Sequence, residues 1–117
     1  MTSSLARFKP WDAIVVPFTY TDQAADKVRP ALVVSSPRHI QATDVVYLAM
    51  IASAANAAWR GDVAVRDLRG AGLPAPSVVR PAKIMTLGCS HIVKRLGALR
   101  KHDQAKLVAS LEAFLAS

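Results

Sequence analysis

Apolar residues in this chain come in short bursts, each stopped by proline, glycine or polar residues, until the last segment, where the spacing turns helical. Bursts of this length suit strands, and their number suits a sheet that curls on itself. Ala13 to Thr19, rich in β-branched and aromatic residues, reads as the first strand and Ala31 to Ser35 as the second. Ser36 to His39 reads as a turn, because Pro37 cannot continue a ladder. Asp44 to Ile51 is apolar enough for a central strand, and Ala52 to Arg60, full of small residues, reads as a loop. Asp62 to Val65 is a short strand; Asp67 to Pro76 holds Gly70, Gly72, Pro74 and Pro76 and reads as irregular. Ser77 to Arg80 and Ile84 to Leu87 read as two strands split by Pro81, and Ile92 to Leu96 follows the Gly88 to His91 turn. Ala105, Val108, Leu111 and Leu115 then recur at helical spacing, which predicts an amphipathic helix from His102 to Leu115. The expectation is a mainly β fold with a C-terminal helix, a small barrel or half-barrel closed by that helix.

The 117 residues suit a single domain spanning residues 1–117. No apolar run approaches the roughly 20 residues of a membrane span, and Met1 to Pro10 lacks the apolar centre of a signal peptide. Met1 to Lys9 reads as a loose arm, with Phe8 and Trp11 packing where the chain joins the fold. The lone cysteine, Cys89, has no partner for an internal disulfide, so a cytoplasmic protein is expected. The formal net charge is +7, and the excess is uneven. Between Arg60 and Lys106, ten Lys and Arg face only Asp62, Asp67 and Asp103. That imbalance favours a polyanionic partner: RNA, DNA or an acidic protein segment.

One segment aims a cation with particular economy. In Arg29-Pro30-Ala31-Leu32-Val33-Val34-Ser35 an obligate cation precedes a proline and then a buried-strand run. The upstream strand Val15-Val16-Pro17-Phe18 leads into a polar loop, expected to be mobile over Thr21 to Lys27, that delivers Arg29. Further landmarks follow in order: Met50-Ile51, Trp59-Arg60-Gly61-Asp62, Gly72 to Arg80, and Lys83-Ile84. Together these residues resemble the MazF/PemK family of type II toxin–antitoxin systems. The resemblance runs from Trp11 to the C-terminal helix. It implies an SH3-like small β-barrel, a homodimer, metal-independent endoribonuclease activity on single-stranded RNA without cofactor, and neutralisation by a cognate antitoxin protein. Two departures stand out. Relatives open the first strand with Gly-Asp, where this chain has Trp11-Asp12. Relatives end the third strand Ile-Thr-Ser with a catalytic threonine, where this chain reads Ile51-Ala52-Ser53.

The chemistry implied is attack of a ribose 2′-hydroxyl on the adjacent phosphorus. Such a site must remove a proton, stabilise a charged phosphorane and protonate the departing 5′-oxygen. Arg29 suits the second task, since its planar fork matches two phosphate oxygens. Ala52, at the family's threonine position, supplies no hydroxyl. Ser53 has the right chemistry but points away from position 52 if the strand continues. Tyr20 and Trp59 are candidates for stacking on bases, with dimer packing as the other role open to Trp59. Arg80, Lys83, Lys94 and Arg95 are candidate phosphate contacts. His39, His91 and His102 show no pairing in their spacing, and Cys89 with His91 is too small a set for zinc, so no metal is expected. The alternative function is a non-catalytic module on the same fold, binding RNA or an antitoxin peptide.

Overall fold

The computed structural model describes residues 8–18 and 27–116. Six strands, β1 (Asp12–Phe18), β2 (Lys27–Val33), β3 (Val45–Ser53), β4 (Val63–Ala64), β5 (Ser77–Gly88) and β6 (Lys94–Ala98), form one antiparallel sheet in the order β4-β5-β3-β2-β1-β6. The sheet curls as a half-barrel, and the α-helices among the described residues are α1 (Pro37–Thr43), α2 (Leu68–Ala71) and α3 (Lys101–Phe114). The mainly β architecture with a C-terminal helix is therefore as the sequence predicts. Tyr20, and the expected loop as far as residue 26, lie outside the described residues.

The middle of the sheet is buried on both faces, which explains the apolar runs of β1, β2 and β3. Ala13, Leu32, Ala49 and Ile51 point to one face and pack with Val63, Val79, Leu99 and Leu107. Ile14, Val16, Ala31, Val33, Val46, Leu48 and Met50 point to the other and pack with Phe8, Ile40 and Cys89. Successive residues of one strand thus serve opposite cores, as strand geometry requires. The α3 helix closes the first core through Leu107, and α1 closes the second through Ile40. Burial pushes the Cys89 thiol up to about 11, with a hydrogen bond to Asp44 assisting, so it is a neutral packing group at physiological pH.

Four elements differ from the sequence expectation, the first being Leu68–Ala71, a short helix inside the Asp67 to Pro76 segment that reads as irregular. Ser36 and Pro37 begin a helix rather than a turn: the Ser36 hydroxyl accepts a hydrogen bond from the His39 amide at 3.2 Å, and Pro37 occupies the first turn. The segments either side of Pro81 belong to one strand, β5. Met50 pairs with Arg80 and its neighbour Ala49 with Ile84, so Pro81, Ala82 and Lys83 bulge out of the ladder. The bulge accommodates the proline's missing donor. Finally, β3 runs through Ala52 to Ser53, which pairs with Ser77, instead of stopping at Ile51. Trp11, at the position where the family resemblance leads one to expect glycine, holds φ 75, the left-handed backbone that glycine adopts most easily. Its side chain packs on the first core, and the adjacent buried Asp12 accepts from the Lys9 amide and from Arg95 Nε, both at 3.1 Å.

Candidate functional site

The site begins where β2 and β3 part. Their ladder joins Val33 to Leu48, Leu32 to Ala49 and Ala31 to Met50, and stops there. The next residue of β2 is Pro30, which has no N–H to offer. Carried onward, the same register sets Arg29 across from Ala52. Both lie on the sheet face that carries Ala31 and Met50. The two residues line a common cleft of about 240 Å³, with Met50, Ile51, Asn56, Arg80 and Lys83. A second cavity of about 250 Å³ shares Arg29, Ile51, Ala52 and Asn56, and extends past Ser53 and Ser77 to Leu73 and Pro74. Beyond it an apolar hollow of about 200 Å³, edged by Val15, Val28, Pro30, Leu73 and Leu96, again includes Arg29. The Arg29 side chain thus stands at the junction of three hollows, cationic at one end and apolar at the other.

The cationic end is rigid. Arg80 is buried, and its Nε and Nη2 donate to the two oxygens of Asp62, each at 3.0 Å. Nη2 also donates to the Ala57 carbonyl at 3.1 Å, and Trp59 lies over the guanidinium at 4.4 Å. The Trp59 amide donates to Asp62 Oδ2 at 2.9 Å. The turn holding Asp62 is fixed in its own right: Gly61, at φ 85, accepts from the Ser110 hydroxyl of α3 at 2.6 Å. The C-terminal helix therefore holds the turn, the turn holds Asp62, and Asp62 holds Arg80 in the cleft wall.

Several sequence candidates find different surroundings from those expected. Arg80, a candidate phosphate contact, is a buried ion-pair partner that still lines the cleft. Trp59 stacks on Arg80 and is absent from the linings of the three hollows. Ser53 lies on the opposite parity from Ala52, and its hydroxyl accepts from the Ala55 amide at 3.1 Å, the role of a turn former. Lys94 and Arg95 lie on β6, where Arg95 pairs with Asp12. His39 tilts against Tyr47 with ring centroids 4.7 Å apart, and His102 contacts Arg66, so neither belongs to the cleft. Asn56, which lines both cavities at Ala52, escaped the sequence reading; a small polar residue in a turn carries no distinguishing signal there.

The Arg80 guanidinium holds the Asp62 carboxyl below the ordinary aspartate value of 3.8, outweighing partial burial, with the Trp59 amide assisting. A depressed folded-state value favours the ionised form in the fold. Its stabilisation is therefore complete above the unfolded-state value and disappears as pH falls through the lower folded one. We expect Asp62→Asn to melt below the parent at pH 7, and the gap to close as pH falls through the lowered folded-state value of Asp62. Circular dichroism melts across that range give the test. A gap that stayed constant into strong acid would show that the carboxylate charge contributes nothing.

The family model described as "PemK-like, MazF-like toxin of type II toxin-antitoxin system" matches residues 9–115. No curated protein matches the sequence. Among solved structures, MazE–MazF from Deinococcus radiodurans superposes with a TM-score of 0.72 at 19% identity, covering 92% of this chain and 94% of that one. An endoribonuclease in complex with its cognate antitoxin from a mycobacterial species gives 0.71 at 17% identity, covering 92% and 91%. The Mycobacterium tuberculosis toxin MazF-mt6 gives 0.68 at 18%, covering 87% and 93%.

Proposed function

Because the chain belongs to the PemK-like, MazF-like toxins of type II toxin–antitoxin systems, we propose that it is a metal-independent endoribonuclease for single-stranded RNA, slowed by the alanine at position 52. The observation that carries this reading is the cleft itself: Arg29 stands across from Ala52 where the β2–β3 ladder ends, with Arg80 and Lys83 on the same wall. A phosphodiester seated there meets the Arg29 fork, which takes two non-bridging oxygens and neutralises the charge that grows in the phosphorane. Ala52 offers the reacting oxygens nothing. A threonine on the same strand position would point its hydroxyl into the cleft beside Arg29. The apolar hollow beyond Pro30 suits a nucleobase better than a phosphate. In this reading the protein is a cytoplasmic homodimer, and a cognate antitoxin covers the cleft with an acidic segment, competing with RNA. Structural neighbours whose names include an antitoxin support that partner.

The test is a long single-stranded RNA incubated with the chain in EDTA, with binding and cleavage followed separately. RNA is expected to bind with an affinity that falls as salt rises, and to be cut slowly into 2′,3′-cyclic phosphate and 5′-hydroxyl ends. Absence of RNA binding at low salt would sink the proposal. The missing hydroxyl favours a second reading, a toxin-fold module that binds RNA or antitoxin without cutting. Binding with no cleavage, even after a threonine is introduced at position 52, would select it.

A further inference from the structure

We propose that Lys83 is a catalytic residue, the proton donor to the departing 5′-oxygen; the inference rests on the ribonuclease reading above. Its basis is the bulge in β5. The ladder skips Pro81, Ala82 and Lys83 between Arg80 and Ile84, and Lys83 is the one bulge residue that lines the cleft. A bulge beside a site re-aims a side chain that a regular strand would have directed elsewhere. The same cleft lining contains Arg29 and the hydroxyl-free Ala52.

Elimination narrows the acid further. Among the described residues, the polar side chains of this cleft belong to Arg29, Asn56, Arg80 and Lys83. Guanidinium holds its proton too tightly for transfer at neutral pH, and two Arg80 nitrogens are committed to Asp62 and Ala57. A carboxamide is no acid. An alkylammonium is far more acidic than the alcohol it would produce, so donation to a departing alkoxide is downhill. In the step, the 2′-hydroxyl loses its proton to water as its oxygen bonds to phosphorus. The bond from phosphorus to the 5′-oxygen breaks, and a proton moves from Lys83 Nζ to that oxygen. The products are a 2′,3′-cyclic phosphate and a 5′-hydroxyl, and the amine regains a proton from water.

The experiment compares the parent, Lys83→Ala and Lys83→Arg on two RNAs. One is ordinary; the other carries sulfur in place of the 5′-bridging oxygen, whose thiolate leaves without a proton. On ordinary RNA we expect both variants to lose on the order of 10²–10³-fold in the single-turnover rate, with Lys83→Arg keeping RNA affinity. On the sulfur substrate both are expected to match the parent. Equal losses on the two substrates, or no loss on ordinary RNA, overturn the assignment. Binding of RNA without cleavage by the parent or by its Ala52→Thr form overturns Lys83 as a catalyst while leaving RNA recognition intact. Absence of RNA binding by the parent overturns the ribonuclease reading itself.

Discussion

Ala52→Thr is expected to raise metal-independent RNA cleavage by about 10²–10³-fold, the usual effect of one well-placed hydrogen-bond donor on a developing oxyanion. The geometry permits the gain without rearrangement. Residue 52 is partly exposed on a regular stretch of β3, paired with Val78, and shares its cleft with Arg29. A β-branched residue is also well suited to a strand. Adding Arg29→Ala to the threonine form should remove a factor of similar size, about 10²–10³, because the phosphorane then loses its fork of donors. Rates in EDTA under single-turnover conditions, with affinity measured separately, distinguish the chemical step from binding. If the threonine form cuts no faster than the parent while folding normally, position 52 has no part in the reaction. If Arg29→Ala leaves the rate untouched, the cleft is wrongly assigned.

Leu107→Ala should cost about 2–5 kcal/mol of folding stability, the range for truncating a fully buried leucine. Leu107 has no solvent exposure, and it lies in the core formed with Leu32, Ala49, Ile51, Val63 and Val79 from four different strands. A cavity there would sit between the helix and the open face of the curled sheet, where rigid strands cannot collapse to fill it. Val108 is a built-in control: it is 40% exposed on the same helix, so Val108→Ala should change stability by less than about 1 kcal/mol. Urea unfolding of the three proteins gives the comparison. A Leu107→Ala protein within about 1 kcal/mol of the parent would show that α3 contributes little to closing the core.

Legibility of the fold followed local physics. β3 was readable because both its faces are buried, so its run is apolar throughout, and α3 because its period differs from everything before it. The start of α1 was misread because Ser36-Pro37 has two physical meanings: a proline that stops a strand also starts a helix when a serine caps it. The two halves of β5 were misread for a related reason, since Pro81 breaks a ladder only if no bulge lifts it out. Within the site, Arg29 was named from chain order and the family resemblance and Lys83 as a candidate phosphate contact, and both line one cleft. The role of Arg80 was not. Its carboxylate partner lies 18 residues away, and only the fold brings the pair together. Asn56 was hidden because it sits in a separate short turn, its amide donating to the Ser53 carbonyl, that carries no distinguishing sequence signal.

Pro30 has a consequence for motion as well as for shape. A sheet opens at its ends one rung at a time, and each rung left unmade lowers the work of the next local fluctuation. At the end of β2 the rung facing Ile51 is missing by chemistry, since proline carries no amide hydrogen. The strand ends bearing Arg29 and Ala52 therefore lack a rung to each other beyond the paired residues Ala31 to Val33, while Arg29 stays paired with Val16 of β1 and Ala52 with Val78 of β5. Local opening between β2 and β3 at this end leaves the rungs from Ala31 to Val33 intact. One absent hydrogen atom thus marks where the β2–β3 ladder ends and the cleft begins.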